Sequence, residues 1–141
     1  MAGGFIQGGG YGPLSSIHGL ASDNALSFEV VTATGEAISA NSESNIDLFW
    51  ALKGGGPGTW GVVTSVTLKT HPTVMCIGMS LNVTATGSTF WKAFGIFQSF
   101  IPGLSEAGMY VWYSLTADTL TIQPLMGPNM TLGEFNKVSR A

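Results

Sequence analysis

The distribution of glycine constrains this chain more than any other feature of its sequence. Thirteen of the 20 glycines lie within the first 61 of 141 residues. Two clusters stand out, Gly8-Gly-Gly-Tyr-Gly12 and Gly54-Gly-Gly-Pro-Gly58, and neither has the period of collagen or the serine content of a linker. Glycine has no Cβ, so such segments can adopt positive φ and present backbone N–H groups to an anion or a flat ring. The clusters therefore indicate tight backbone turns of a kind that would suit a diphosphate or a flavin.

Neither cluster matches the common nucleotide-binding motifs. The Walker pattern Gly-x-x-x-x-Gly-Lys-Ser/Thr is absent. A dinucleotide-binding fingerprint requires a strand before the glycines and a helix after them, but Gly12 is followed by Pro13. On spacing alone, the first cluster fits a structural turn between strands as well as a ligand-binding loop.

Composition excludes several classes of protein. Only five Lys and Arg residues and a net charge of −3 argue against nucleic-acid binding. A mean hydropathy of +0.32 with 11% aromatic residues argues against disorder. The single cysteine, Cys76, excludes an internal disulfide, and two histidines with one cysteine make no convincing metal site. No apolar run approaches the roughly 18 residues of a membrane helix, so we expect no membrane span.

The residue pattern predicts an alternation of strands and helices with a boundary at His71-Pro72, where the character of the sequence changes. Before the boundary we predict a hairpin of strands 27–33 and 37–40, a helix from a Ser44 cap through Leu52, and a strand over 61–70. After it we predict a strand over 75–83, a helix over 89–101 capped by Ser88 or Thr89 and ended by Pro102-Gly103, and a hairpin of 108–115 and 119–125.

The last predicted element is a helix that begins at Thr131. The spacing from Thr131 to Glu134 is that of a capping box, in which the two residues satisfy each other's backbone N–H groups. A helix that begins this close to the end of the sequence predicts that the chain is incomplete.

Four ordered segments carry a family resemblance, namely 3–16, 18–26, 28–36 and 47–67. They contain Gly3-Gly-Phe-Ile-Gln-Gly-Gly-Gly-Tyr-Gly12, Gly19-Leu-Ala-Ser-Asp-Asn24 and Leu52-Lys-Gly-Gly-Gly-Pro-Gly-Thr-Trp-Gly-Val-Val63. This series resembles the second half of the flavin domain in FAD-linked oxidases of the vanillyl-alcohol oxidase and berberine-bridge-enzyme type, with the fungal, secondary-metabolism branch the most similar. The resemblance implies an α+β fold. Residues 1–72 would form the C-terminal part of a PCMH-type FAD-binding domain, with antiparallel strands and short helices, and 73–141 the incomplete beginning of an α+β substrate-binding domain.

The resemblance also implies FAD as the cofactor and assigns residues to its site. The implied cofactor-binding residues are Gly8, Gly9, Gly10, Tyr11 and Gly12 along the flavin and its diphosphate, Gly19, Asp23 and Asn24 in the next wall, and Gly61, Val62 and Val63 at the adenosine end.

Structural roles compete with these assignments at several positions. Asp23 can brace its own loop, and Val62 and Val63 can pack in a core as readily as contact a ligand. His18 is better interpreted as a loop histidine that bonds backbone groups than as a catalytic base. His71 has no sequence partner that indicates metal binding or catalysis.

The family reaction implied by the resemblance is the oxygen-dependent oxidation of a small organic substrate, here in natural-product biosynthesis. Hydride passes to flavin N5, a base takes a proton, and oxygen reoxidises the flavin. The family's other flavin-binding half-domain, and the later elements that supply the base or acid, are absent from these 141 residues. No catalytic residue can therefore be assigned, and we expect weak or no FAD binding by this chain alone.

The alternative is a redox-inactive relative that acts as a binding or interaction module, pairing with a second chain that completes the flavin site. Localisation is open on sequence alone. Asn82-Val-Thr and Asn129-Met-Thr have the form of N-glycosylation acceptors, whereas the N-terminus lacks the pattern of a signal peptide. We therefore expect secretion and glycosylation only if a leader precedes the sequence.

Overall fold

The structure is a computed structural model that describes residues 1–139. It divides into two compact units, Met1–Pro72 and a second unit that begins at Thr73. This division falls at the boundary predicted from the sequence, while the assignment of the units to a FAD-binding and a substrate-binding domain stays a prediction. Both units combine antiparallel strands with helices, which confirms the predicted α+β class.

The first unit is a three-stranded antiparallel sheet with two short helices. Its elements are α1 (Ser15–His18), β1 (Ala25–Val31), β2 (Ala37–Asn41), α2 (Ile46–Leu52) and β3 (Val62–Leu68), and the strand order is β2-β1-β3. The hairpin of β1 and β2 was predicted. Strand β1 buries Phe28 and Val30 and exposes Glu29 between them, as expected of a sheet covered on one face. These two side chains form the core with Ile6, Ala25, Ala40 and Leu52.

The second unit is a three-stranded antiparallel sheet covered by a long helix. Its elements are β4 (Cys76–Thr84), α3 (Gly87–Glu106), β5 (Tyr110–Leu115), β6 (Thr119–Pro128) and α4 (Leu132–Ser139), in strand order β4-β6-β5. Helix α3 packs Phe90, Phe94 and Phe97 on this sheet, as their spacing predicted. The core is completed by Leu104, Met109, Leu120, Ile122, Leu125 and Phe135.

The start of α2 corrects a prediction. Ser44 is not the cap, because the helix begins at Ile46 and its N-cap is Asn45, a left-handed residue with φ 51° and no capping side-chain bond. At the end of β2, the Oδ1 of Asn41 accepts hydrogen bonds from the backbone N–H groups of Glu43 and Ser44, both at 2.8 Å. These donors are therefore satisfied before the helix begins.

Helix α3 is longer than predicted. It begins at Gly87, its N-cap Thr86 makes no capping side-chain bond, and it continues through Pro102 to Glu106. Proline removes one backbone donor, which leaves the carbonyl of Gln98 without its helical partner. Pro102 is exposed, and the following turn buries Leu104. Burial of this leucine outweighs the local tendency of proline to end a helix.

The predicted strands are all present, with ends displaced by up to three residues. Within residues 1–139, no helix has both the length and the apolar character needed to cross a bilayer. Asn82 and Asn129 are both exposed, and their glycosylation stays a prediction.

Candidate functional site

The first glycine cluster forms a turn that lies against a second turn over residues 19–24. Gly9 and Gly10 adopt φ of 99° and 72°. Their carbonyls accept hydrogen bonds from the N–H groups of Ser22 and Ala21, respectively, both at 2.9 Å. A Cβ on Gly10 would lie 2.5 Å from the Cβ of Ala21 and 2.9 Å from the Phe5 ring. The close approach of the two turns therefore requires glycine at position 10.

Side chains within the second turn fix its shape. The Oδ2 of Asp23 accepts a hydrogen bond from the N–H of Leu20 at 2.8 Å, and it lies beside Gly19, whose φ is 76°. The Nδ2 of Asn24 donates to the carbonyls of His18 at 3.0 Å and Leu20 at 2.9 Å. Asp23 and Asn24 thus brace the turn from within.

Two histidines stack beside this turn. The rings of His18 and His71 have centroids 3.8 Å apart and an angle of 9° between their planes. The Nε2 of His71 lies 2.7 Å from the Oδ1 of Asn24. Both hydrogens of the Asn24 amide are already donated to carbonyls, so its Oδ1 is the acceptor and His71 Nε2 carries the hydrogen. The pKa of His71 is lowered from its ordinary value of 6.5, first by desolvation and then by the nearby His18 and Lys69.

A cavity of about 390 Å³ opens where these segments meet. This volume lies near the lower end of the roughly 300–1,000 Å³ typical of small-molecule sites, which suits one part of a dinucleotide rather than the whole. Its walls are mainly apolar, with a single lysine among them. The lining residues are Phe5, Gly10, Gly12, Pro13, Leu14, Ser15, His18, Gly19, Ala21, Asn24, Leu68, Lys69 and His71.

The second glycine cluster packs against the first segment. Gly54, Gly56 and Gly58 all have positive φ, and the N–H of Gly56 donates to the carbonyl of Gln7 at 3.0 Å. Gln7 is buried, and its Nε2 donates to the carbonyl of Ala2 at 3.0 Å. This cluster therefore supports the segment that carries the first glycine turn, and its residues do not line the cavity.

Comparison with known proteins gives a consistent match. The FAD binding domain family matches residues 1–41. The FAD-linked oxidoreductase ZEB1 of Gibberella zeae is 44% identical over 99% of this chain and 25% of its own length. The FAD-linked oxidoreductase sor8 of Hypocrea jecorina is 39% identical over 98% of this chain and 24% of its own. A crystal structure of the VAO-type flavoprotein MtVAO615 from Myceliophthora thermophila superposes with a TM-score of 0.91 at 37% identity, covering 98% of this chain and 26% of that one.

Over almost its whole length, the chain matches FAD-linked oxidoreductases of the VAO type. The cofactor of this family is FAD, as the resemblance implied. The chain spans about a quarter of the length of the relatives that it matches.

The fold brings four of the predicted cofactor-binding residues to the cavity, namely Gly10, Gly12, Gly19 and Asn24. Gly8, Gly9 and Tyr11 belong to the same turn but do not line it. Asp23 faces a different cavity of about 650 Å³, together with Trp50 and Lys53. Gly61, Val62 and Val63 lie at the start of β3, where Val62 pairs with Val31. A cofactor-binding role for all of these residues stays a prediction.

The sequence analysis did not assign the residues at the C-terminal end of the first unit to the cavity. Leu68, Lys69 and His71 line the cavity, although nothing near them in sequence indicates a ligand site. The signal that could have found them is strand pairing. Because β1 and β3 are antiparallel and Ala25 pairs with Leu68, residues after 68 must lie beside residues before 25.

The cavity of about 390 Å³ fits a portion of FAD. Gly12 leaves open space, since a Cβ there would meet no atom within 4 Å. Lys69 supplies a positive charge suited to a diphosphate, and Phe5 and Leu14 supply apolar surface for a ring. The residues present would therefore hold part of the cofactor by backbone approach, apolar contact and one cation.

Proposed function

We propose that this chain forms one wall of the FAD site in an oxygen-dependent oxidoreductase that oxidises a small organic substrate in natural-product biosynthesis. The observation that carries the proposal is the cavity at which Gly10, Gly12, Gly19 and Asn24 meet. Ten of its 13 lining residues lie in the segment that matches the FAD binding domain family. The fungal FAD-linked oxidoreductases at 39–44% identity support the reaction class.

The chain's own residues would bind and orient the cofactor. When bound, FAD supplies the redox chemistry, whereas the protein supplies position and electrostatics. The glycine turn permits close approach, Lys69 offsets negative charge, and the braced 19–24 turn keeps the wall rigid. Since the chain spans about a quarter of its relatives, we propose that it binds FAD weakly by itself.

A chimera tests this proposal. This chain would replace the corresponding quarter of the VAO-type flavoprotein MtVAO615, with which it superposes over 98% of its length. We expect the purified chimera to retain bound flavin, measured as visible flavin absorption after gel filtration. A folded chimera that stays colourless after incubation with FAD would contradict the proposal.

A matched pair of variants locates the site within the chimera. Gly12→Leu fills open space in the cavity without forcing positive φ, so it should weaken FAD binding by about tenfold or more, or about 1.4 kcal/mol. Gly95→Leu adds the same side chain to open space on α3 and should leave binding unchanged. Equal effects of the two substitutions would place the FAD site elsewhere.

A second candidate is the interaction module, favoured by exposed aromatic and aliphatic side chains in the first unit. Trp50 is 80% exposed and Val62 is 67% exposed, and such surface is typical of an interface. In this case a second chain would complete the flavin site. Mixing this chain with the remainder of MtVAO615 as a separate polypeptide should then restore flavin binding. If the two polypeptides form no complex and bind no flavin, the interaction-module hypothesis is wrong.

A further inference from the structure

His71 connects the end of β3 to the turn that forms one wall of the cavity. Its Nε2 donates to the Asn24 Oδ1 at 2.7 Å, across 47 positions of sequence. Two residues earlier, the N–H of Lys69 donates to the Asn24 carbonyl at 2.8 Å. The side chain and the backbone of Asn24 are thus both held by the segment that follows β3.

Asn24 links His71 to the rest of the turn through its own hydrogen bonds. Its amide bridges the carbonyls of His18 and Leu20, which lie on either side of Gly19. If its Oδ1 loses the His71 donor, the side chain is held by its two amide hydrogen bonds alone, and a rotation that breaks one of them weakens the other. The position of the turn therefore depends on a side chain that lies outside it.

We propose that His71 is a positioning residue, which locks the Asn24 turn against the end of β3, and that this lock weakens when His71 takes up a proton. The inference rests on the proposed function, because the locked turn is the wall assigned to FAD. His71 itself is given no role in the chemistry of the reaction.

The groups around His71 determine the direction of the proton effect. The group stacked on it is His18 of α1, and Lys69 lies at the end of β3. Asp23, in the turn, directs its Oδ2 to the N–H of Leu20. Desolvation and the two basic neighbours disfavour a cation at His71.

The linkage between proton binding and the locked arrangement gives the direction of the pH effect. The pKa of His71 is lowered in the locked arrangement, whereas an imidazole released to solvent titrates near its ordinary value of 6.5. The released arrangement therefore binds a proton more tightly, and protonation shifts the population toward it. The contribution of neutral His71 to the lock is greatest above pH 6.5 and decreases as the pH falls below that value.

Hydrogen–deuterium exchange of the full chain, followed by mass spectrometry without cofactor, tests the inference. Protection is compared at about pH 7.5 and about pH 5.5 after correction for intrinsic exchange. We expect the protection of residues 19–24 to fall severalfold at the lower pH. Residues 27–41, the hairpin of the same unit, should keep their protection and report on the stability of the unit.

Two substitutions separate positioning from simple packing. His71→Phe keeps a stacking ring without a donor, so the turn should be poorly protected at both pH values. His71→Gln restores a donor that does not titrate, so it should rescue protection at both values and remove the pH dependence. The inference is overturned if His71→Phe leaves the turn protected, if it deprotects the hairpin equally, or if His71→Gln keeps the parent pH dependence. A chimera without flavin would overturn the proposed function and leave this measurement unaffected.

Discussion

Gly10 and Gly12 are both glycines at the cavity, but for different physical reasons. Gly10 has a positive φ of 72° and no room for a Cβ, because Ala21 and Phe5 are too close. Gly12 has open space around it and no φ in the left-handed region. The first glycine is required by the fold, and the second is free to serve a ligand.

Substitution of Gly10 tests the structural half of this distinction. Gly10→Ala should destabilise the first unit by about 2–4 kcal/mol, from a left-handed alanine of roughly 1–2 kcal/mol together with overpacking against Ala21. Gly35→Ala, at φ 84° with no atom within 4 Å, should show the backbone cost alone. Urea unfolding, followed by tryptophan fluorescence in a Trp91→Phe, Trp112→Phe background, measures both. Equal losses would show that the contact with Ala21 relaxes freely.

At the residue scale, the sequence predicts the glycine turn but not the contact between His71 and Asn24. A positive φ in the first glycine cluster follows from composition and local turn chemistry. The contact of His71 with Asn24 does not, because it joins residues 47 positions apart and depends on the register of β1 with β3. For Asp23 the sequence allows both a bracing role and a ligand-facing role, and the structure shows the brace.

Among the elements, α4 follows its sequence signal most closely. The Oε2 of Glu134 accepts hydrogen bonds from the N–H of Thr131 at 2.8 Å and from its Oγ1 at 2.7 Å. The N–H of Glu134 donates to Thr131 Oγ1 at 3.3 Å. The predicted capping box is confirmed, and the helix that it starts buries Phe135 in the core of the second unit.

The capping box makes the second unit sensitive to acid. Hydrogen bonds from the backbone and then the side chain of Thr131 lower the pKa of Glu134 below its ordinary value of 4.5. The stabilisation is therefore present above pH 4.5 and is lost as the pH falls through the lowered value. Urea midpoints of the second unit should decrease over this range, and Glu134→Gln should flatten that decrease. Glu106→Gln, at an exposed carboxylate on α3, is the control; an equal flattening there would contradict the assignment.

Sequence signals predict a helix end correctly where a side chain caps the neighbouring backbone. They fail where burial of a later residue in the core extends the helix. Thr131 and Glu134 are three residues apart and satisfy each other. Pro102 marks the predicted end of α3, yet the helix continues because Leu104 is buried one half-turn later. The residues around Pro102 do not by themselves indicate that Leu104, beyond the proline, is buried.

At the scale of the whole molecule, each unit exposes large apolar side chains and leaves strand edges unpaired. Strands β2 and β3 are the outer strands of one sheet, and β4 and β5 are those of the other. Trp50 and Met75 are more than three-quarters exposed. With only 9% charged residues, little on the surface opposes association.

We therefore expect this chain to self-associate or to require a partner. Size-exclusion chromatography with light scattering should show species larger than 14.7 kDa whose population rises with concentration. Trp50→Glu should reduce association, because it replaces an 80% exposed indole with a charge. Ala33→Glu adds the same charge at an exposed position beside the hairpin turn and should have a smaller effect. A monodisperse monomer that melts cooperatively would contradict this prediction, because it would show that the exposed apolar surfaces require no partner.

The contact between His71 and Asn24 also orders the events of folding. The cavity wall is completed by a residue that immediately precedes Pro72, the last residue of the first unit. Synthesis proceeds from the N-terminus, so the glycine turn leaves the ribosome long before the side chain that locks its neighbour. A finished cavity therefore exists only after β3 has paired with β1. A ligand that recognises the locked turn would bind only units that have already folded, and its binding would mark the end of folding.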